Sequence, residues 1–221
     1  MHMKLNADDI RNKFLSIKEQ GSTPNLLLSN QEKDKQMRRA AVLLPIIQSA
    51  DNKNADQAKP EPALSMLFTK RSYDLKYHPG QISFPGGSVD AADNTIADTA
   101  LRETFEEVGI SSKFIEVIGT LNNFITTSNF NVTPVVGLLN PGFTLLTQPE
   151  EVEEIFTVPF SFLMNENNYR WYPSSQRLPN GRQANESWLS IDYEEAGQHY
   201  QIWGATAVMT LEFYRFLQEG S

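Results

Sequence analysis

At 221 residues without a cysteine, the chain excludes disulfides, thiol catalysis and cysteine-ligated metal centres, and it is long enough to bury a core. Its 27 acidic and 19 basic residues leave a net charge of −8, which argues against a general affinity for nucleic acid or an anionic membrane. No apolar run approaches the roughly eighteen residues of a membrane-spanning helix, and Met1–Asp9 lacks the apolar centre of a secretory signal. The expectation is therefore one cytoplasmic domain over residues 1–221.

Asp8–Glu19 predicts an amphipathic helix, with Ile10, Phe14, Leu15 and Ile17 apolar and Gly21 beyond its end. Ala40–Ile47 is a short apolar run that reads as a buried strand, and Gln48–Pro62 is polar and reads as a mobile loop. Ala63–Thr69 returns as a second strand, which predicts a hairpin with an overlong connection. A helix through residues 95–108 follows, then strands at Phe114–Asn123 and Val132–Leu139. Further on come a short strand at Phe156–Pro159, a helical turn at Phe160–Met164, and strands at Arg170–Tyr172 and Ser187–Ile191. Thr206–Gln218 closes the chain as a helix, with Ala207, Leu211, Phe213, Tyr214 and Leu217 facing inward. Strands and helices mix without a regular βαβ alternation, which predicts a mixed sheet between helices, an α/β (α+β) arrangement.

The helix at 95–108 carries the chemistry. Glu103, Glu106 and Glu107 stand at i, i+3 and i+4 and so share one face, while Ala97, Ala100, Leu101, Thr104, Phe105 and Val108 fill the other. An acidic run on a helix is usually a solvated face. Three carboxylates this close nevertheless repel unless a cation sits among them, and oxygen ligands suit magnesium or manganese. The three histidines, His2, His78 and His199, share no metal-ligand spacing. Ahead of the helix, Lys70, Arg71, Lys76 and His78 cluster in a loop that ends in Phe84-Pro85-Gly86-Gly87. Basic side chains beside an acidic metal face are what a polyphosphate requires on its other flank.

Gly86-Gly87, the acidic loop and Arg102-Glu103-x-x-Glu106-Glu107-x-Gly109 together resemble the Nudix box, the signature of hydrolases that cleave a nucleoside diphosphate linked to another group. The family's box reads Gly, five residues, Glu, seven residues, Arg-Glu. Here the sixth position after Gly87 is Asp93, and Arg102 arrives one residue late. Asp93 has two open readings, the acid of the loop or the cap of the helix. The upstream stretch is similar to the motif of the coenzyme A pyrophosphatase branch: Ser72, Gly80 and Phe84-Pro85-Gly86-Gly87 fall on its spacing, while Lys76 replaces an arginine and Phe68 a leucine. The similarity continues through Val132–Gly137, Glu151-Val152, Phe156–Pro159 and Ile202–Ala207 and spans about residues 35–218, leaving the first helix as a decoration.

The resemblance implies an α/β/α sandwich and Mg²⁺- or Mn²⁺-dependent hydrolysis of coenzyme A or its thioesters to 3′,5′-ADP and (acyl-)4′-phosphopantetheine. It implies Glu103, Glu106, Glu107 and the Gly87 carbonyl as metal ligands. One of these glutamates or Glu151 would be the proton acceptor, and Arg102 an organiser that pairs with a box carboxylate. Arg71, Lys76, Gly86 and Gly87 would meet the substrate. Phe124, Phe130, Tyr73 and Trp203 have two readings, core or base-stacking. Homodimers occur among Nudix proteins, which allows one here. Two rivals stand beside this reading: a Nudix hydrolase of another nucleotide (a nucleoside triphosphate, an ADP-sugar or a dinucleotide) and a binding module that kept the fold without catalysis. The intact Arg102, Glu103, Glu106 and Glu107 argue against the second.

Overall fold

The computed structural model describes residues 5–19, 37–48 and 64–219. Most of the polar stretch read as a mobile loop, and the Gly21 beyond the first helix, lie outside these residues.

A mixed sheet is built on β1 (Arg38–Gln48), whose pattern is buried on both faces as a central strand requires. Residues 38–47 of β1 run parallel to residues 130–139 of β7 (Phe130–Leu139). The expected hairpin between β1 and β2 (Leu64–Arg71) is real but short. The two strands pair antiparallel only where Ile46–Gln48 meets Leu64–Met66 and then diverge. Into the gap come β3 (Ile82–Ser83), which pairs with β2, and β4 (Gly86–Ser88), which pairs with β1 at Ala40–Val42. Strand β5 (Ile115–Thr120) and the short β6 (Phe124–Ile125) flank β7, while β8 (Val152–Pro159) flanks β2. Residues Leu121–Asn123, expected to continue a strand, lie outside β5, and the segment expected to begin at Phe156 begins at Val152.

Period-two alternation sorts each central strand between two cores. Ala41, Leu43, Leu67, Val135 and Leu139 meet Ile96, Ala100 and Val108 of α2 (Ile96–Val108) on one face. Ala40, Leu44, Ile46, Met66, Phe68, Val136 and Leu138 meet the other core, with α1 (Ala7–Glu19) and α4 (Ala205–Gln218). That makes the expected helix–sheet–helix layering. Leu15 of α1 and Phe105 of α2, both read as apolar-face residues, are exposed at 49 % and 58 %. The stripe each helix buries is narrower than its apolar positions suggest. Between β8 and the next strand lies the short α3 (Phe160–Leu163).

A second sheet of β9 (Tyr169–Tyr172), β10 (Trp188–Glu195) and β11 (Gln198–Trp203) completes the fold. No strand is expected directly ahead of the closing helix from the sequence pattern. Ile202 and Trp203 instead end β11, paired with Ile191 and Ser190, because Glu195-Ala196-Gly197 turns the chain through positive φ at Ala196 and Gly197.

Candidate active site

The acidic face is fixed from both ends of α2. Thr95 caps its start by accepting from Asp98 N, and the Asp98 carboxylate accepts from Thr95 N in return, a capping box worth about 1 kcal/mol. Asp93 is therefore not the cap. It accepts from Arg102 Nε and Nη2 at 3.1 and 3.0 Å, from the Thr99 hydroxyl at 2.7 Å and from no solvent to speak of, its side chain being 4 % exposed. The bond from Arg102 is the main reason its carboxyl is held down to about 2. The same guanidinium donates to Glu103 Oε1 at 2.8 Å, Glu106 Oε2 at 3.3 Å and the Ser88 carbonyl at 3.0 Å. One cation thus joins the loop, the glycine turn and two of the three helix carboxylates.

The Gly86-Gly87 pair of β4 lies where β1 and β2 part. A methyl at Gly86 would fall on Ala41 O and Val42 Cα, and one at Gly87 would occupy the place of the Glu103 carboxylate. Glycine here lets the backbone approach the acids directly. Gly86 N–H donates to Glu107 Oε2 at 3.3 Å. The three glutamates are otherwise unlike. Glu106 is half exposed at 53 % and Glu103 mostly covered at 15 %, whereas Glu107 is buried at 5 %. Burial pushes the Glu107 carboxyl up to about 8, with Arg71 pulling it down and Glu103 and Glu151 adding to the rise. Burial also raises Glu103, against the pull of Arg102. Glu151 stands in the exposed turn before β8, where its carbonyl accepts from Ser72 N at 2.9 Å, and its charge is felt by both Glu103 and Glu107.

Arg71 ends β2. Its guanidinium has no hydrogen bond or ion pair among the described residues, and its Nε is buried without a partner. Glu107 feels it through space only. Lys76 is exposed on the outer bend of the 72–80 loop, its Nζ 5.5 Å from the Tyr77 ring; it makes no ion pair with the acids. Of the aromatic candidates, Tyr73 is 61 % exposed, while Phe124, Phe130 and Trp203 are partly buried. The sequence reading overlooked Thr99 as a support for Asp93, although Thr95-x-x-Asp98 was a legible capping signature that moves Asp93 out of the cap.

Among the described residues, no three Asp, Glu or His side chains already converge as a metal cage. The donor set still fits a hard divalent cation. It is all oxygen, its carboxylates repel one another, the deepest is raised by burial, and the glycine cradle leaves the backbone open beside them.

The NUDIX domain model matches residues 37–189. A protein described as uncharacterized Nudix hydrolase NudL from Photorhabdus laumondii is 41 % identical over 172 residues, covering 78 % of this chain and 81 % of that one. Its namesake from Klebsiella pneumoniae strain 342 is 37 % identical over 205 residues, covering 92 % and 90 %. Among solved structures, the MutT protein from Methanosarcina mazei Go1 is similar at a TM-score of 0.44 and 16 % identity, over 84 % of this chain and 98 % of that one. This chain belongs to the Nudix family. It is accordingly a hydrolase of pyrophosphate bonds in nucleoside diphosphate derivatives, a class of enzyme that uses divalent metal ions.

Proposed function

We propose that the chain hydrolyses the pyrophosphate of coenzyme A or an acyl-coenzyme A, releasing 3′,5′-ADP and 4′-phosphopantetheine or its acyl form. The observation that carries the reading is Arg71, an arginine without a hydrogen-bond or ion-pair partner among the described residues, at the base of the loop that bears the upstream motif and beside a group of repelling carboxylates. A planar guanidinium in that position is matched by a phosphate oxygen pair, which it binds with two parallel N–H bonds.

Glu103, Glu106, Glu107 and the Gly87 carbonyl would hold Mg²⁺ or Mn²⁺, which when bound offsets the charge of the diphosphate and acidifies the attacking water. Arg71 and Lys76 bind phosphate oxygens, and Gly86 and Gly87 let the diphosphate approach the backbone. Arg102 stays out of the chemistry and keeps Glu103 and Glu106 oriented. The proton leaves the attacking water for Glu151 or one of the three helix carboxylates. Residues 1–221 act as one domain, with its core over about 35–218 and α1 as a decoration.

The test is product analysis after incubation with coenzyme A and Mg²⁺ or Mn²⁺. Appearance of 3′,5′-ADP that a chelator abolishes supports the reading. A large preference for ADP-ribose over coenzyme A overturns the substrate while leaving the family chemistry in place. One feature favours that second reading, a hydrolase of another nucleoside diphosphate derivative. The position the branch fills with arginine is Lys76, an exposed ammonium that cannot bind bidentately.

A further inference from the structure

Lys70 on β2 and Glu154 on β8 are cross-strand partners, where opposite charges ordinarily close on one another. Here they do not. Glu154 Oε1 instead accepts a 2.7 Å bond from the Tyr200 hydroxyl of β11, and the Tyr200 ring stacks on Phe156 at 4.0 Å and 14°. Lys70, partly buried, is left without an ion pair among the described residues, with its Nζ 5.3 Å from the Tyr73 ring.

Tyr73 is exposed but held. Gly80 has φ 68°, and a Cβ there would stand 2.6 Å from Tyr73 Cε1, so the ring lies directly against that glycine. The loop is closed at its base by Arg71 N–H to Gln81 O at 3.0 Å and Gly80 N–H to Arg71 O at 3.1 Å. A bulge separates Lys70 from Arg71 in the pairing with β8, so the end of β2 presents two successive cations with no ion pair among the described residues. One faces the acid cluster. The other stands beside a flat, fixed aromatic surface.

We propose that Lys70 and Tyr73 form a second subsite that reads a phosphate monoester and the purine next to it, apart from the diphosphate that Arg71 meets. A partly buried ammonium 5.3 Å over a ring that is 61 % exposed suits a phosphate attached near a stacked base. In coenzyme A that group is the 3′-phosphate of the adenosine, so the inference rests on the coenzyme A reading and narrows it. Tyr200 takes part as a positioning residue: by holding Glu154 it keeps Lys70 free.

The experiment compares kcat/KM for coenzyme A and 3′-dephospho-coenzyme A in the wild type, Lys70→Ala, Tyr73→Ala and Tyr200→Phe, with thermal melting to confirm folding. The expected result is a wild-type preference for coenzyme A of about tenfold or more, the scale of one charge-assisted contact. Lys70→Ala collapses the ratio toward one. Tyr200→Phe, which retains the stack on Phe156 and frees Glu154 to pair with Lys70, lowers the ratio in the same direction. Equal cleavage of both compounds by the wild type, or an unchanged ratio in Lys70→Ala, overturns this inference and leaves the coenzyme A reading standing. Cleavage of neither, with another nucleotide cut, overturns both.

Discussion

Arg102 and Arg71 serve the same group of carboxylates and are treated in opposite ways. Arg102 is saturated: Asp93 takes two of its bonds and Glu103, Glu106 and the Ser88 carbonyl take the rest. Arg71 has none among the described residues, although its Nε is buried. A saturated cation holds a frame. An unsatisfied buried donor is a net cost to folding, of the kind that sequences keep where a ligand will supply the missing acceptor. The comparison separates the residues that shape the site from those left open for substrate, and it can be broken or sharpened by substitution.

The largest effect is expected at Glu107, where both regions converge. Glu107→Gln should lose nearly all turnover while remaining folded, since glutamine keeps the bond from Gly86 N–H and, like the protonated carboxyl that burial favours there without metal, is neutral. Added Mg²⁺ or Mn²⁺ should raise the melting temperature of the wild type and not of this variant. Turnover close to wild type would refute the place given to Glu107 in the metal site.

Arg102→Ala comes next and should register first as stability. It strands the Asp93 carboxylate, almost wholly covered, without its counter-ion. Loss of one partner from such a pair costs about 2–4 kcal/mol, and activity should fall along with folding. Arg71→Ala should do the reverse. Removing an unpartnered donor leaves the melting temperature nearly unchanged or higher, while kcat/KM drops about 10- to 100-fold for want of one charge-assisted phosphate contact. Arg71→Lys should recover only part of it. A large loss of stability in Arg71→Ala with unaltered kinetics would erase the distinction between the two arginines.

The saturated half of the site was the legible half. The i, i+3, i+4 spacing placed Glu103, Glu106 and Glu107 on one helix face, and the resemblance put Gly86 and Gly87 beside them. Pairing of Arg102 with a box carboxylate came with the family resemblance. What spacing does not encode is depth. Glu107 is buried while Glu106, one residue earlier, is half exposed, because only the turn of the helix against the Gly86 gap decides which carboxylate points inward. Phe105 is exposed for the same reason. The long parallel pairing of β1 with β7 was hidden too, since nearness in sequence favoured β2. The second sheet was missed at β11, where Tyr200 and Ile202 alternate with polar neighbours after an Ala-Gly turn. That period-two signal was present and outweighed by the helix after it.

The last prediction concerns pH, and it is read from the melting temperature of the metal-free protein alone. In metal-free buffer the folded Glu107 carboxyl sits at about 8, above the 4.5 of the unfolded chain, so the folded state holds the extra proton between those values. Its contribution is complete below about 4.5 and is lost as pH rises toward 8, which makes the melting temperature decline across that window. Asp93 behaves oppositely: held down to about 2 against 3.8, it stabilises above 3.8 and loses that contribution as pH falls toward 2. The metal-free protein should therefore melt highest in mildly acidic solution. Glu107→Gln should flatten only the alkaline limb and Asp93→Asn only the acid limb, as followed by melting temperature against pH. An alkaline limb that survives Glu107→Gln would mean that the buried charge lies elsewhere, and Glu103, also raised by burial and close to Arg102, would be the carboxylate to examine.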